Sequence, residues 1–268
     1  MLHLIVRSRN KSCVALRELI VPKRAIFRLG STTPTEVILQ QNHKNPKRTT
    51  YIEINTADAC KISGNKLLMK QRFTRAHIPT AEWFAESALD KEHKKLYHYL
   101  KEWGTIIAKR YNSSGGKGIY LIKSEEDAEK FLNELPDSIT NYIFEKYYTY
   151  SREYRIHVTK DGYFHASRKM LKADAEVRWH RHLENTVWVK EENPAFNKPA
   201  NWDEIAEACV SALKAVGLDI GAMDVKIQDS KHENPKFIIL ESNSAPALGE
   251  ETIEKYKQKL TTLIEERI

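Results

Sequence analysis

Ile106-Ile107-Ala108-Lys109-Arg110-Tyr111-Asn112-Ser113-Ser114-Gly115-Gly116-Lys117-Gly118-Ile119-Tyr120-Leu121-Ile122 is the stretch on which the reading turns. Apolar β-formers before Lys109 and after Gly118 are bounded by turn residues, so the run predicts strand, loop, strand. Glycines let a backbone approach a bulky anion and aim turned N–H groups at it. Lys109 at a strand end and Lys117 in the loop add full positive charge, and the natural guest is a polyphosphate. No G-x-x-x-x-G-K-[ST] run occurs and no helix follows the glycines directly, so this is neither a Walker loop nor a dinucleotide fingerprint. A plain hairpin with a polar tip fits the same residues. The rest of the chain separates the two readings.

The 268 residues are enough for one or two domains with a full core. Composition is that of an ordinary soluble globular protein without low-complexity tracts. The formal net charge is +7, from 43 Lys+Arg against 36 Asp+Glu, a mild excess that suits an anionic ligand. It leaves nucleic acid open as a partner, although no compact basic, aromatic-interleaved tract singles out RNA or DNA. Cys13, Cys60 and Cys209 are far apart and form no C-x-x-C, so neither a disulfide framework nor a zinc site is expected. Leu2–Val6 is too short for a signal-peptide core and no apolar run reaches membrane-spanning length, so a cytoplasmic location is expected.

Along the chain, residues 1–62 read as a small α/β unit. Strands are expected at Leu2–Val6, Ala25–Leu29 and Tyr51–Ile54, a short helix at Lys11–Leu19, a turn at Ser31–Pro34 and a loop over Gln40–Thr50. Helical spacing runs from the capping residues Asn55–Asp58 through Leu67, Phe73 and His77 to Pro79. A strand at Ala81–Ala85, an amphipathic helix over Leu89–Trp103 and a helix opening at Ser124 surround the glycine loop. Further strands are expected at Asn141–Glu145, Tyr154–Val158 and Tyr163–Lys169, the last two joined by a Lys160-Asp161-Gly162 turn. Residues 171–192 read as a long loop. Trp202–Val216 is a helix closed by Gly217, followed by strands at Leu218–Ile227 and Lys236–Glu241 and a terminal helix from Glu250. Strands and helices do not alternate strictly, which argues for α+β with helices on one face of antiparallel sheets.

An ordered set of motifs brackets the glycine loop: Ser63-Gly64-Asn65-Lys66; Ile143-Phe144-Glu145-Lys146-Tyr147; Arg152-Glu153-Tyr154-Arg155; Met223-Asp224-Val225; and Leu240-Glu241-Ser242-Asn243-Ser244-Ala245-Pro246. In this order, from Lys66 to Pro246, the chain resembles the ATP-grasp superfamily of carboxylate–amine ligases. The resemblance implies a short pre-grasp domain at 1–62 and a grasp at 63–268, with a small subdomain at about 63–146 and a large one at about 147–268. It implies ATP and Mg²⁺, with two ions expected and Mn²⁺ as an alternative. Asp224, Glu241 and Asn243 match the metal-holding residues, hard oxygen donors that suit Mg²⁺ shared with phosphate oxygens. Lys66 and Lys109 match the lysines that reach the phosphates, and Ser114, Gly115, Gly116 and Lys117 the loop that closes over them. Glu145, Lys146 and Tyr147 resemble the hinge whose main chain pairs with adenine, and Glu153 the acid that accepts from the ribose. A hairpin pairing of Glu153 with Arg152 or Arg155 competes with that role.

Arg168, Lys169 and Arg178 lie where ligases of this family keep cations for the γ-phosphate or the acyl substrate. Residues 178–186 are similar to the substrate loop of the branch that adds amino acids to a peptide carboxylate, the ribosomal-protein glutamate ligases. His180-x-His182 reads as solvated rather than as a metal pair. One departure stands out. D-alanine ligases keep an arginine two residues before the first metal Asp, and here that position is Ala222, which makes Arg168 the expected oxyanion partner. The function implied is ATP-dependent joining of a carboxylate, through an acylphosphate, to an amine, with a peptide or polyanion as one possible substrate. A kinase on the same fold and a nucleotide- or nucleic-acid-binding module without turnover are the alternatives.

Overall fold

The computed structural model describes residues 2–6, 15–16, 19–21, 24–41, 44, 51–113, 115–179, 181 and 185–268. Three sheets form among them. The first is parallel, β1 (Leu2–Val6), β2 (Ala25–Leu29) and β3 (Ile52–Ile54), with β2 central and buried along its length. Helix α1 (Thr35–Gln41) follows β2, beginning directly after the expected Ser31–Pro34 turn. Most of the helix expected at Lys11–Leu19 lies outside the described residues.

The helical run from Thr56 is two helices. Thr56 accepts from the amide of Ala59 and opens α2 (Ala57–Gly64); Asn65 accepts from the amide of Leu68 and opens α3 (Lys66–Arg75). A side chain that caps so well competes with helix continuation. This break puts Lys66 in the first turn of α3 rather than mid-helix.

The small antiparallel sheet has the order β4 (Trp83–Ala85), β7 (Tyr142–Lys146), β5 (Ile106–Arg110), β6 (Ile119–Ile122). Helices α4 (Lys94–Trp103) and α5 (Glu125–Glu134) cover it through Leu96, Leu100, Ala128 and Phe131. Helix α4 starts five residues later than the apolar spacing from Leu89 predicts, because His93 takes up a left-handed conformation before it.

The large antiparallel sheet has the order β10 (Thr186–Lys190), β9 (Gly162–Leu171), β8 (Arg152–Thr159), β11 (Ile220–Ile227), β12 (Phe237–Asn243). Strand β10 corrects the expected loop over 171–192. Side chains alternate between the faces of a strand. Tyr154, Ile156, Val158, Met223, Val225 and Ile227 point to a core shared with Ile205, Cys209, Leu213 and Val216 of α6 (Trp202–Val216). Glu153, Arg155, His157, Lys169, Asp224 and Lys226 take the alternate positions. Helix α7 (Glu250–Glu265) packs Tyr256, Leu260 and Ile264 against Phe27, Leu29 and Ile54, so the chain's end covers its beginning.

The sheets are stitched together by polar contacts. Asn55 exchanges hydrogen bonds with Asp219 and Ile220 at the start of β11. Ile239 on β12 donates its N–H to the Pro79 carbonyl at 2.7 Å and accepts from the Thr80 hydroxyl at 2.9 Å.

Candidate functional site

The site begins with a bulge. Strands β11 and β12 pair Asp224 with Glu241 and then Val225 with Ile239, leaving Leu240 as the extra residue. A bulge re-aims the side chains beside it. Here Leu240 and Glu241 both line one cleft, with Asp224 directly across the ladder from Glu241.

Two adjoining clefts meet there. The larger, about 380 Å³, is lined by Lys66, Gly115 and Gly116 on one side and by Asp224, Glu241 and Asn243 on the other. The smaller, about 130 Å³, adds Lys109, Lys117 and Glu153, with Ile107, Ile119 and Leu240 as apolar wall. Lysines from the front of the chain and oxygens from its back thus converge. Lys66 hydrogen-bonds the Ser113 carbonyl at 2.5 Å, and its own amide donates to the Tyr111 carbonyl, which ties the first turn of α3 to the glycine loop. Gly115, Gly116 and Gly118 all have φ between 65° and 77°. Ser114, His180 and His182 lie outside the described residues.

Charge is paired across the floor. Arg155 grips both oxygens of Asp224, at 2.8 and 2.9 Å, and Lys169 adds a third contact at 2.6 Å. Burial opposes ionisation of Asp224, but the guanidinium and the ammonium outweigh it and hold the carboxyl well below the usual range. Lys169 also reaches Glu153 at 3.0 Å, and Arg181 approaches the other oxygen of Glu153 at 3.5 Å. Glu153 therefore pairs with neither Arg152 nor Arg155: Arg152 donates to main-chain carbonyls of Gln228 and Asn197. Lys226 donates to the Tyr148 carbonyl and sits over the Tyr147 ring; burial pulls its pKa down to about 8.

Several expected residues sit elsewhere. Arg168 alternates with Lys169 on β9 and turns to the other face, where it donates to the Ala195 carbonyl at 2.8 Å. Neither Arg168 nor Arg178 lines either cleft. The arginines at the clefts are Arg155 and Arg181. The alternation Glu153, Arg155, His157 along a strand marks Arg155 as sharing a face with Glu153, but does not show that it meets Asp224. Glu145, Lys146 and Tyr147 also lie off the cleft walls. The amides of Lys146 and Tyr147 are taken by the carbonyls of Glu82 and Thr105, both at 3.0 Å, so they are not free to meet a base. The Glu145 carboxylate is 2% exposed and holds Lys109 at 2.7 Å.

Whether Mg²⁺ suits this place is testable on the donors. Asp224, Glu241 and Asn243 are hard oxygen donors at neighbouring strand positions facing one cleft, with both Asp224 oxygens already accepting from Arg155 and Lys169. No cluster of three or more His, Cys, Asp or Glu suited to a metal occurs among the described residues. The set fits an ion whose remaining ligands come from phosphate and water.

A third cavity, about 560 Å³, shares Arg155 and Trp188 with the larger cleft and reaches the first turn of α7. His157 and His165 line it, both kept neutral by burial, with Arg155 and Lys255 adding to the effect.

No protein-family model and no curated protein sequence matches the chain. Solved structures do. The D-alanine–D-alanine ligase of Bacillus anthracis superposes with a TM-score of 0.67 at 14% identity, covering 99% of this chain and 96% of that one. The D-alanyl-alanine synthetase A of Vibrio cholerae gives 0.63 at 12% identity over 91% of this chain and 77% of its own. The ATP-grasp ligase PsnB, solved with a phosphomimetic variant of its minimal precursor, Mg and ADP, gives 0.58 at 16% identity, covering 91% of this chain and 77% of that one. The Bacillus anthracis enzyme has also been solved complexed with ATP. Mixed sheets and helices in this arrangement, the glycine loop over one wall and the bulged β11–β12 pair as the other, are the ATP-grasp fold, and this chain has it.

Proposed function

We propose that the protein is an ATP- and Mg²⁺-dependent ligase that activates a carboxylate and joins it to an amine. The observation that carries this is the convergence of Lys66, Lys109 and Lys117 with Asp224, Glu241 and Asn243 around adjoining clefts. The fold neighbours support it, being D-alanine–D-alanine ligases, one solved with ATP, and the ATP-grasp ligase PsnB, solved with Mg and ADP. On this reading Asp224, Glu241 and Asn243 hold Mg²⁺, two ions replaceable by Mn²⁺, which offsets phosphate charge when bound. Lys66, Lys109, Lys117 and the Gly115–Gly116 amides receive the phosphates, and Glu153 faces the ribose. A substrate carboxylate oxygen attacks the γ-phosphorus and ADP leaves. The amine nitrogen then attacks the acyl carbon, losing a proton as phosphate departs. The chain's main tasks are positioning and exclusion of water.

Arg155 replaces Arg168 as the cation at the reacting carbonyl. Among the described residues, Asp224 and Glu241 are the carboxylates lining the larger cleft, against Lys66, Arg155, Lys169 and Arg181. That balance supports an anionic acyl substrate such as a peptide carboxylate, in keeping with the similarity of residues 178–186 to the ribosomal-protein glutamate ligase branch. The third cavity gives the amine substrate room. The three sheets support the division into a unit at 1–62, a small grasp part at 63–146 and a large one at 147–268. No described helix is long and apolar enough to cross a membrane, and the free thiols of Cys60 and Cys209 fit a reducing cytoplasm.

The test is incubation with ATP, Mg²⁺ and pools of acidic peptides and amino acids. ADP, phosphate and an amide product are expected. A phosphoester would make the protein a kinase, and absence of turnover with every pool would leave a binding module.

A further inference from the structure

Lys70 lies on α3, one turn after Lys66, and its side chain is fully buried. It lines none of the three cavities. Its ammonium donates to the Thr80 hydroxyl and stands 3.3 Å from Oε1 of Glu145. The other oxygen of Glu145, Oε2, is 2.7 Å from Lys109. One buried carboxylate therefore serves two ammonium groups, and Lys109 is the one of the pair that reaches the smaller cleft.

Packing does not explain a charge at this position. A buried ion pair is commonly no more stabilising than apolar residues of the same volume. Burial also disfavours the charge, lowering the Lys70 pKa to about 8. An electrostatic role does explain it. With Lys109 alone, Glu145 would form a neutral, tightly held pair, and the ammonium would be drawn away from a phosphate. Lys70 supplies part of the neutralisation of Glu145 and leaves net positive charge facing the cleft.

We propose that Lys70 is a positioning residue for nucleotide binding: by sharing Glu145 it keeps Lys109 available to the phosphates. Thr80 holds Lys70 in place, and because its hydroxyl donates to the Ile239 carbonyl, the same chain of contacts ends beside the bulge that aims Glu241. This inference rests on the nucleotide-site reading above.

The experiment is a double-substitution cycle on the full chain, reading Mg–ATP dissociation by calorimetry. Lys70→Met is expected to weaken binding about tenfold, the size of one charge-assisted hydrogen bond, and to lower the melting temperature, since one partner of a buried pair is removed. In turnover assays the KM for ATP should rise while kcat stays close to that of the unaltered chain. With Glu145→Gln already in place, Lys70→Met should change binding little, because the carboxylate the two lysines compete for is gone. Thr80→Val should act in the same direction as Lys70→Met, and serves if that variant does not fold. Unchanged binding in Lys70→Met, or equal losses in both backgrounds, would overturn the inference while leaving the nucleotide site intact. Failure of the unaltered chain to bind Mg–ATP would remove the site and this inference with it.

Discussion

Arg155 on β8 clasps Asp224 on β11 through two parallel hydrogen bonds, Nε to Oδ1 at 2.8 Å and Nη2 to Oδ2 at 2.9 Å. Such a fork cannot be reproduced by a single ammonium. Arg155→Met leaves a buried carboxylate with Lys169 alone, and breaking a buried pair costs about 3–5 kcal/mol. Urea unfolding should show that loss, and Arg155→Lys should recover only part of it. A midpoint equal to that of the unaltered chain would mean the pair contributes nothing to the fold.

Glu241 faces Asp224 across the ladder with no packing duty that a glutamine could not fill. Glu241→Gln should therefore fold, by circular dichroism, yet lose turnover and Mg²⁺ response. The loss should exceed the roughly 10–100-fold seen when only a supporting residue of a metal site is removed. A Mg²⁺ titration of activity that matches the unaltered enzyme would remove Glu241 from the metal set.

Lys109→Ala takes away a charged donor that lines the smaller cleft. Equilibrium binding should show ATP affinity reduced by about 1.5–3 kcal/mol, the worth of a hydrogen bond to a charged group. Full affinity in this variant would place the phosphates elsewhere.

Gly118 and Gly115 separate backbone strain from crowding. Both have φ of +65°, which costs an L residue about 1–2 kcal/mol. A Cβ at Gly118 would also meet the Arg110 Cβ at 3.0 Å, while one at Gly115 meets nothing within 4 Å. Gly118→Ala should raise the KM for ATP more than Gly115→Ala. The reverse order would show that the loop's shape is set from the Gly115 side.

Acid should destabilise the protein through its buried carboxylates. Burial alone would raise the pKa of Asp224, Glu145 and Asp219, but their cationic partners win and lower all three. Each is ionised in the fold where the unfolded chain has begun to bind protons. Their contribution is present above the ordinary carboxylate range and is lost as pH falls below about 4. The urea midpoint followed from pH 6 downward, within roughly that window, should fall steadily; a flat profile would contradict the pairing.

Local signals carried much of the fold. Gly217 at φ 79° ends α6 where the sequence predicts, and Ser124 opens α5 by accepting from the amide of Asp127. Strand β10 escaped because its alternation follows a charged stretch, and because Val187 and Trp188 are exposed, giving no buried period to read. At the site, Lys66 and Asp224 were legible from motif order. Arg155, Arg181, Lys226 and Lys70 were not, since what matters about them is which carboxylate or carbonyl each meets across the sheet. Arg168 shows the same limit from the other side: adjacency to Lys169 in sequence means opposite faces of a strand.

The grip of Pro79 and Thr80 on Ile239 has one more effect. Strand β12 is the outermost member of its sheet, and an outermost strand ordinarily offers its peptide groups as a template to any extended polypeptide. At Ile239 both groups are already occupied by the chain's own backbone and hydroxyl. The rim is closed to strand addition at Ile239, two residues from Glu241.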